Sequence, residues 1–147
     1  MNATSAAVAA ALTFTWCGMV LGISFLEAPL KFRAPGVTVP VGLGIGRIVF
    51  RVLNRIEAVL AAGVVAAVAV AAGGPPVAVA VPTAVAAAMM AAQLLAIRPG
   101  LNRRSDRVLA GEELPRSRAH HVYVATESVK VLALLALGAA ALHTLAA

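Results

Sequence analysis

Continuous apolarity is the strongest constraint on this chain. From Ala6 to Leu30 it meets one charged residue, Glu27. An apolar helix of about 20 residues, rising about 1.5 Å per residue, crosses a hydrocarbon core of about 30 Å. In lipid every backbone N–H and C=O must be satisfied by the protein itself, which leaves helices and closed barrels. The run is therefore predicted to be a transmembrane helix. It is read as a span rather than a signal peptide because Met1 to Ala7 carries no Lys or Arg and the apolar run continues through Trp16 to Phe25. A signal peptide opens with basic residues and has a shorter apolar core.

Three further spans follow. Ala58 to Ala72 is short by itself, but the helical spacing of Val39 to Glu57 extends it into one long helix. Gly73, Gly74, Pro75 and Pro76 then form an uncharged, helix-breaking turn, and Val77 to Ile97 supplies a third span with Pro82 near its start. From Arg98 to Arg118 the chain is polar and is expected to be its longest soluble loop, before a fourth span from His120 to Leu145. The expectation is an all-α, single-domain integral membrane four-helix bundle over residues 1–147, up-down-up-down, with spans at about 6–30, 40–73, 77–97 and 120–145. The connection between the second and third helices is short and periplasmic.

Composition agrees with this reading. With 61% hydrophobic and 12% charged residues among 147, the chain is more apolar than a soluble core of this size requires. Aromatics make up 4%, so small side chains must let the helices approach closely. Cys17 is the single cysteine, which excludes an internal disulfide and a cysteine-only metal site. The formal charge is +6, but basic residues bracket the apolar segments and are not interleaved with aromatics, so the charge encodes topology and not nucleic-acid binding. Lys31, Arg33, Arg47, Arg51 and Arg55 flank the first connection, and Arg98, Arg103, Arg104, Arg107, Arg116 and Arg118 the third. By the positive-inside rule both connections face the cytoplasm, with both termini outside an inner membrane.

Charged groups at membrane depth are costly and mark candidate sites. Glu27 ends the first span. Arg47, Arg51, Asn54 and Arg55 share one face of the second helix, either rimming a cavity or lying against lipid phosphates, while Glu57 points elsewhere. On the fourth helix His120, Tyr123, Glu127 and Lys130 fall on one face, with His121 turned about 100° away. Glu127 and Lys130 can pair within the helix. Gln93 and Arg98 close the third span. These groups point to a cytoplasm-facing polar cavity lined by Glu27, Arg47, Asn54, Glu57, Gln93, Arg98, His120, Tyr123, Glu127 and Lys130. Glu27, Glu57, His120 or His121, and Glu127 are also the right donors for a metal in a helical bundle, although the paired Glu-x-x-His spacing of di-iron bundles is absent. Gly42, Gly44 and Gly46 lack the strand and spacing of a dinucleotide fingerprint and are read as packing or flexible positions.

The segment Glu27-Ala28-Pro29-Leu30-Lys31-Phe32 resembles the "AP-x-x-F" signature of a family of small, uncharacterised bacterial four-helix membrane proteins, and Gly46-Arg47-Ile48-Val49-Phe50 is similar to its "G-x-x-F" signature with one residue more between Gly and Phe. That family is related to a vertebrate transmembrane protein associated with drug resistance. The small-residue fourth helix from His120 to Leu142 looks similar, whereas Lys130 and the charged stretch from Arg47 to Glu57 depart from the pattern. The resemblance implies a fold and no reaction.

The expected function is binding or translocation of a small solute or ion by a homo-oligomer in the lipid bilayer, with Ala61 to Ala72 and Ala84 to Ala92 as contact faces. One alternative is a membrane-embedded metal or redox enzyme acting on a lipophilic substrate. The other is an accessory subunit of a larger membrane assembly. The sequence identifies no cofactor.

Overall fold

The computed structural model describes residues 1–112, 114 and 118–146, with the side chains of residues 119 and 120 outside the described set. Helix α1 is a continuous helical stretch, Ala3–Arg33. The Asn2 side chain starts it by accepting from the Ser5 N–H at 2.8 Å, which satisfies one of the orphan donors of the first turn. After α-helical Ala3–Val20 the backbone widens into a π-helical segment, Leu21–Glu27, and then tightens through Ala28–Leu30 and Lys31–Arg33. The wide segment directly precedes Ala28-Pro29. Proline lacks an N–H and its ring crowds the carbonyl four residues back, and a π turn relieves both conflicts.

Helix α2, Val39–Ala69, is capped by the Thr38 hydroxyl and carries Pro40 in its first turn, where the missing N–H costs nothing. It ends where Gly73 and Gly74, at φ 79° and 77°, take up the left-handed conformation of the turn. Helix α3, Val77–Leu109, repeats the device seen in α1: its π-helical segment, Gln93–Ile97, lies just before Arg98-Pro99. Helix α4 runs Ala119–Ala146.

The expected loop from Arg98 is corrected here, because the chain stays helical to Leu109. Polarity there marks a helix that leaves the apolar layer rather than a helix that ends. Asp106 pairs with Arg47 of α2. The helix stops at Gly111, φ 90°, where the Gly111 N–H reaches the Val108 C=O and the Glu112 N–H the Arg107 C=O, both at 3.0 Å. That pair of bonds is a Schellman cap.

The chain is helical with no strand among the described residues, and four of its helices are long and apolar enough to span a membrane. Each packs on two neighbours: α1 on α2 and α4, and α3 on α2 and α4. The interior runs from Ala6, Ala9 and Ala141 at one end through Leu134, Leu137, Val64 and Val79 to Trp16, Val20 and Leu53. Close approach depends on glycine most tightly at Gly42 and Gly138. A Cβ on Gly138 would meet the Phe14 ring at 2.6 Å, and one on Gly42 the Phe32 ring at 2.2 Å. Of the glycines expected to pack, Gly42 seats Phe32, Gly46 lies beside the Lys31 ammonium, and Gly44 faces open space.

The outward faces are apolar as well. Val59, Val70, Val77, Leu95 and Leu132 are each at least 67% exposed. The accessible surface is 8132 Å², against about 7,000 Å² for a soluble monomer of this mass. Aliphatic side chains on the outside of so open a bundle suit a hydrocarbon solvent, as in a multi-pass membrane protein.

Candidate functional site

All four helices send a side chain to one buried node, the Lys130 ammonium and the carboxylates around it. Helix spacing on α4 puts Tyr123, Glu127 and Lys130 on one inward face, where they are 6%, 1% and 0% exposed. Glu57 of α2, at 0% exposed, and Gln93 at the start of the π turn of α3 complete the set. Lys130 Nζ donates to Glu57 Oε1 and, at 2.8 Å, to Gln93 Oε1, and lies 3.0 Å from Glu127 Oε2. Trp16 of α1 donates its indole N–H to Glu57 Oε1 at 2.8 Å. Lys130 does not snorkel toward an interface: it is fully buried and donates two hydrogen bonds inside the bundle.

The node is wired to the arginine-rich end. Tyr123 donates its hydroxyl to Glu127 Oε1. Arg98 Nη2 in turn donates to the Tyr123 oxygen at 2.8 Å, and its guanidinium lies over the Phe50 and Tyr123 rings at 4.2 and 4.6 Å. Ser24, on the π turn of α1, reaches Glu127 Oε1 at 3.5 Å, and Gln93 Nε2 donates to Thr126 at 3.2 Å. Both π turns therefore stand beside the node, and single π turns recur at functional sites.

Electrostatics sets the chemistry. Glu57 lies about 18 Å from the far end of α2, and Lys130 about 24 Å from the far end of α4, at about 1.5 Å per residue. Both positions lie well within long apolar helices rather than at their ends. One ammonium cannot neutralise two carboxylates: with all three ionised the triad carries a net negative charge, and one proton on either carboxyl makes it neutral. Glu57 Oε2 and Glu127 Oε2 accept no hydrogen bond of good geometry among the described residues, although the latter faces Lys130. Tyr123 connects the triad to the Arg98 guanidinium.

The ten residues expected to line one cavity do not all come together. Glu57, Gln93, Arg98, Tyr123, Glu127 and Lys130 come together through direct side-chain contacts, and Arg98 and Tyr123 also border a groove. Glu27 stays apart, pairing with Lys31 at 3.3 Å one turn along α1. Arg47 and Asn54 lie on the outer face of α2, in a groove shared with Arg51, Arg55 and Arg98. Asn54 and Glu57 are only about 60° apart around the helix, so they occupy adjoining sectors, with Asn54 half-buried at the groove and Glu57 fully buried. The His120 side chain lies outside the described residues, and His121 is exposed. Among the described residues no group of three His, Cys, Asp or Glu side chains is placed to hold a metal ion. The two buried carboxylates expected as ligands face an ammonium instead.

Sequence reasoning missed Trp16, Ser24, Thr126 and Phe50. Trp16 is the sole tryptophan, and a lone indole N–H in an apolar span is a donor that needs an acceptor; that signal pointed to a buried carboxylate. Ser24 and Thr126 carry no comparable signal, since such hydroxyls commonly bond to their own helix.

No family model, curated protein or solved structure matches the chain.

Proposed function

We propose that the chain is a multi-pass inner-membrane protein, up-down-up-down with both termini outside, that binds or translocates a small solute or ion in step with a proton held by Glu57, Lys130 and Glu127. The observation that carries this reading is the odd-charged triad buried within the apolar layer and linked through Tyr123 to Arg98. Ionisable residues at that depth are expensive, and proton relays are among the functions that retain them. A homo-oligomer is part of the proposal, since four helices leave one protomer little room for a pathway.

Proteoliposomes under an imposed potassium diffusion potential provide the test. The wild-type protein should acidify or alkalinise the lumen faster than empty vesicles, and the Glu57→Gln, Glu127→Gln double variant should not. Equal rates in both proteins would remove the proton from the reading.

One observation favours a second reading. Lys130 donates to Glu57 and Gln93 and faces Glu127, groups that sit on three different helices. Such a node can also serve as a lock fixing the register of an accessory subunit. That reading expects Glu57→Gln and Glu127→Gln to leave function intact, with assembly sensitive to small-to-large changes on the helix faces. Among the described residues no group of three His, Cys, Asp or Glu side chains supports the metal alternative.

A further inference from the structure

Two grooves of opposite chemistry meet at the arginine-rich end of the bundle. One, of about 390 Å³, has largely apolar walls that include Phe32, Leu43, Phe50, Leu101 and Val124. The other, of about 270 Å³, is walled by Arg47, Arg51, Asn54, Arg55, Arg98 and Asn102, beside Leu94 and Pro99. Arg47, Arg98 and Asn102 line both, so the grooves are continuous.

The second groove has four guanidinium groups on its walls and no carboxylate. Asp106 pairs with Arg47 alone. Among the described residues Arg51 and Arg55 make no ion pair, and Arg98 Nε is buried without an acceptor. Like charges at i, i+4 and i+8 on one helix repel. The cluster is therefore poised for an anion, and forked guanidinium groups favour an oxyanion such as phosphate. A free phosphate would leave the adjoining apolar groove unused. A chain attached to the phosphate would fill it, in a volume typical of small-molecule sites, about 300–1,000 Å³.

We propose that the two grooves form one site for an anionic phospholipid of the surrounding bilayer, with its phosphate among Arg51, Arg55 and Arg98 and an acyl chain along Phe32, Phe50 and Val124. The site goes beyond the proton-linked reading, and it does not require the buried triad to titrate. Its ligand would touch the Arg98 guanidinium that hydrogen-bonds Tyr123, giving occupancy a direct contact with the relay.

Native mass spectrometry of the delipidated full-length protein in detergent tests the site with four probes: phosphatidylglycerol, phosphatidylcholine, dodecyl phosphate and inorganic phosphate. Phosphatidylglycerol should bind at least about tenfold more tightly than phosphatidylcholine, and Arg51→Gln with Arg55→Gln should weaken it by about tenfold or more, the scale of one lost charge-assisted contact. Both arginines are exposed, so the double variant should fold normally. Leu43→Trp, which fills the apolar groove, should weaken phosphatidylglycerol and dodecyl phosphate and spare inorganic phosphate. Equal affinity for the two phospholipids would overturn the proposal, as would unchanged binding in the arginine variant. Inorganic phosphate binding as tightly as phosphatidylglycerol would reduce the site to a plain anion pocket and overturn it too.

Discussion

Lys130 is the residue on which the interior depends, because it alone opposes two buried carboxylates. Lys130→Met should destabilise the protein by about 3–5 kcal/mol, the penalty for leaving buried charge uncompensated. Detergent-resistant unfolding followed by circular dichroism would measure it. Adding Glu57→Gln and Glu127→Gln to Lys130→Met should return much of that loss, since the triple variant buries no charge. A triple variant as unstable as the single would mean that packing, and not charge, is at stake. Trp16→Phe keeps the ring but strands an acceptor on Glu57, and should lower stability by about 1–3 kcal/mol in the same assay. At this scale the sequence was informative about α4, because Tyr123, Glu127 and Lys130 follow helical spacing and all face inward. It was not informative about the partner of Glu57, because contact between Trp16 and residue 57 depends on how α1 and α2 are set in depth.

At the scale of elements, the four long apolar helices were legible because apolar runs bounded by charges or by Gly-Gly-Pro-Pro leave few alternatives. The continuation of α3 from Arg98 to Leu109 was not, because polar composition looks the same in a loop and in a helix projecting into water. What ends that helix is the Gly111 cap. Gly111→Ala puts a Cβ at φ 90° and should cost about 1–2 kcal/mol, read as faster amide hydrogen exchange over residues 98–109. The π turns were equally hidden, although Pro29 and Pro99 show in hindsight where the regular helix must give way. The entrance to α2 offers a sharper test. Gly42→Ala brings a Cβ within 2.2 Å of the Phe32 ring, so an overpacking loss of about 1–3 kcal/mol is expected. Phe32→Leu in the same chain should recover part of it.

At the scale of the whole molecule, the bundle has an apolar exterior, a buried charged node and a basic end. The distribution of Lys and Arg predicts which end faces the cytoplasm. Cys17 is buried at 3% exposure, so introduced cysteines can be labelled against a quiet background. In intact cells His143→Cys should react with a membrane-impermeant maleimide and Ser105→Cys should not, and the reverse pattern would invert the topology. The most direct test of the central claim, that the buried triad binds a proton, is an emission titration of Trp16. It is the only tryptophan in the chain, and its indole donates to Glu57. The account predicts one reversible, single-proton transition in the detergent-purified wild-type protein, absent from the Glu57→Gln, Glu127→Gln double variant. Emission that stays flat with pH in the wild-type protein, while the fold remains intact by circular dichroism, would contradict it and leave the triad as a lock between helices.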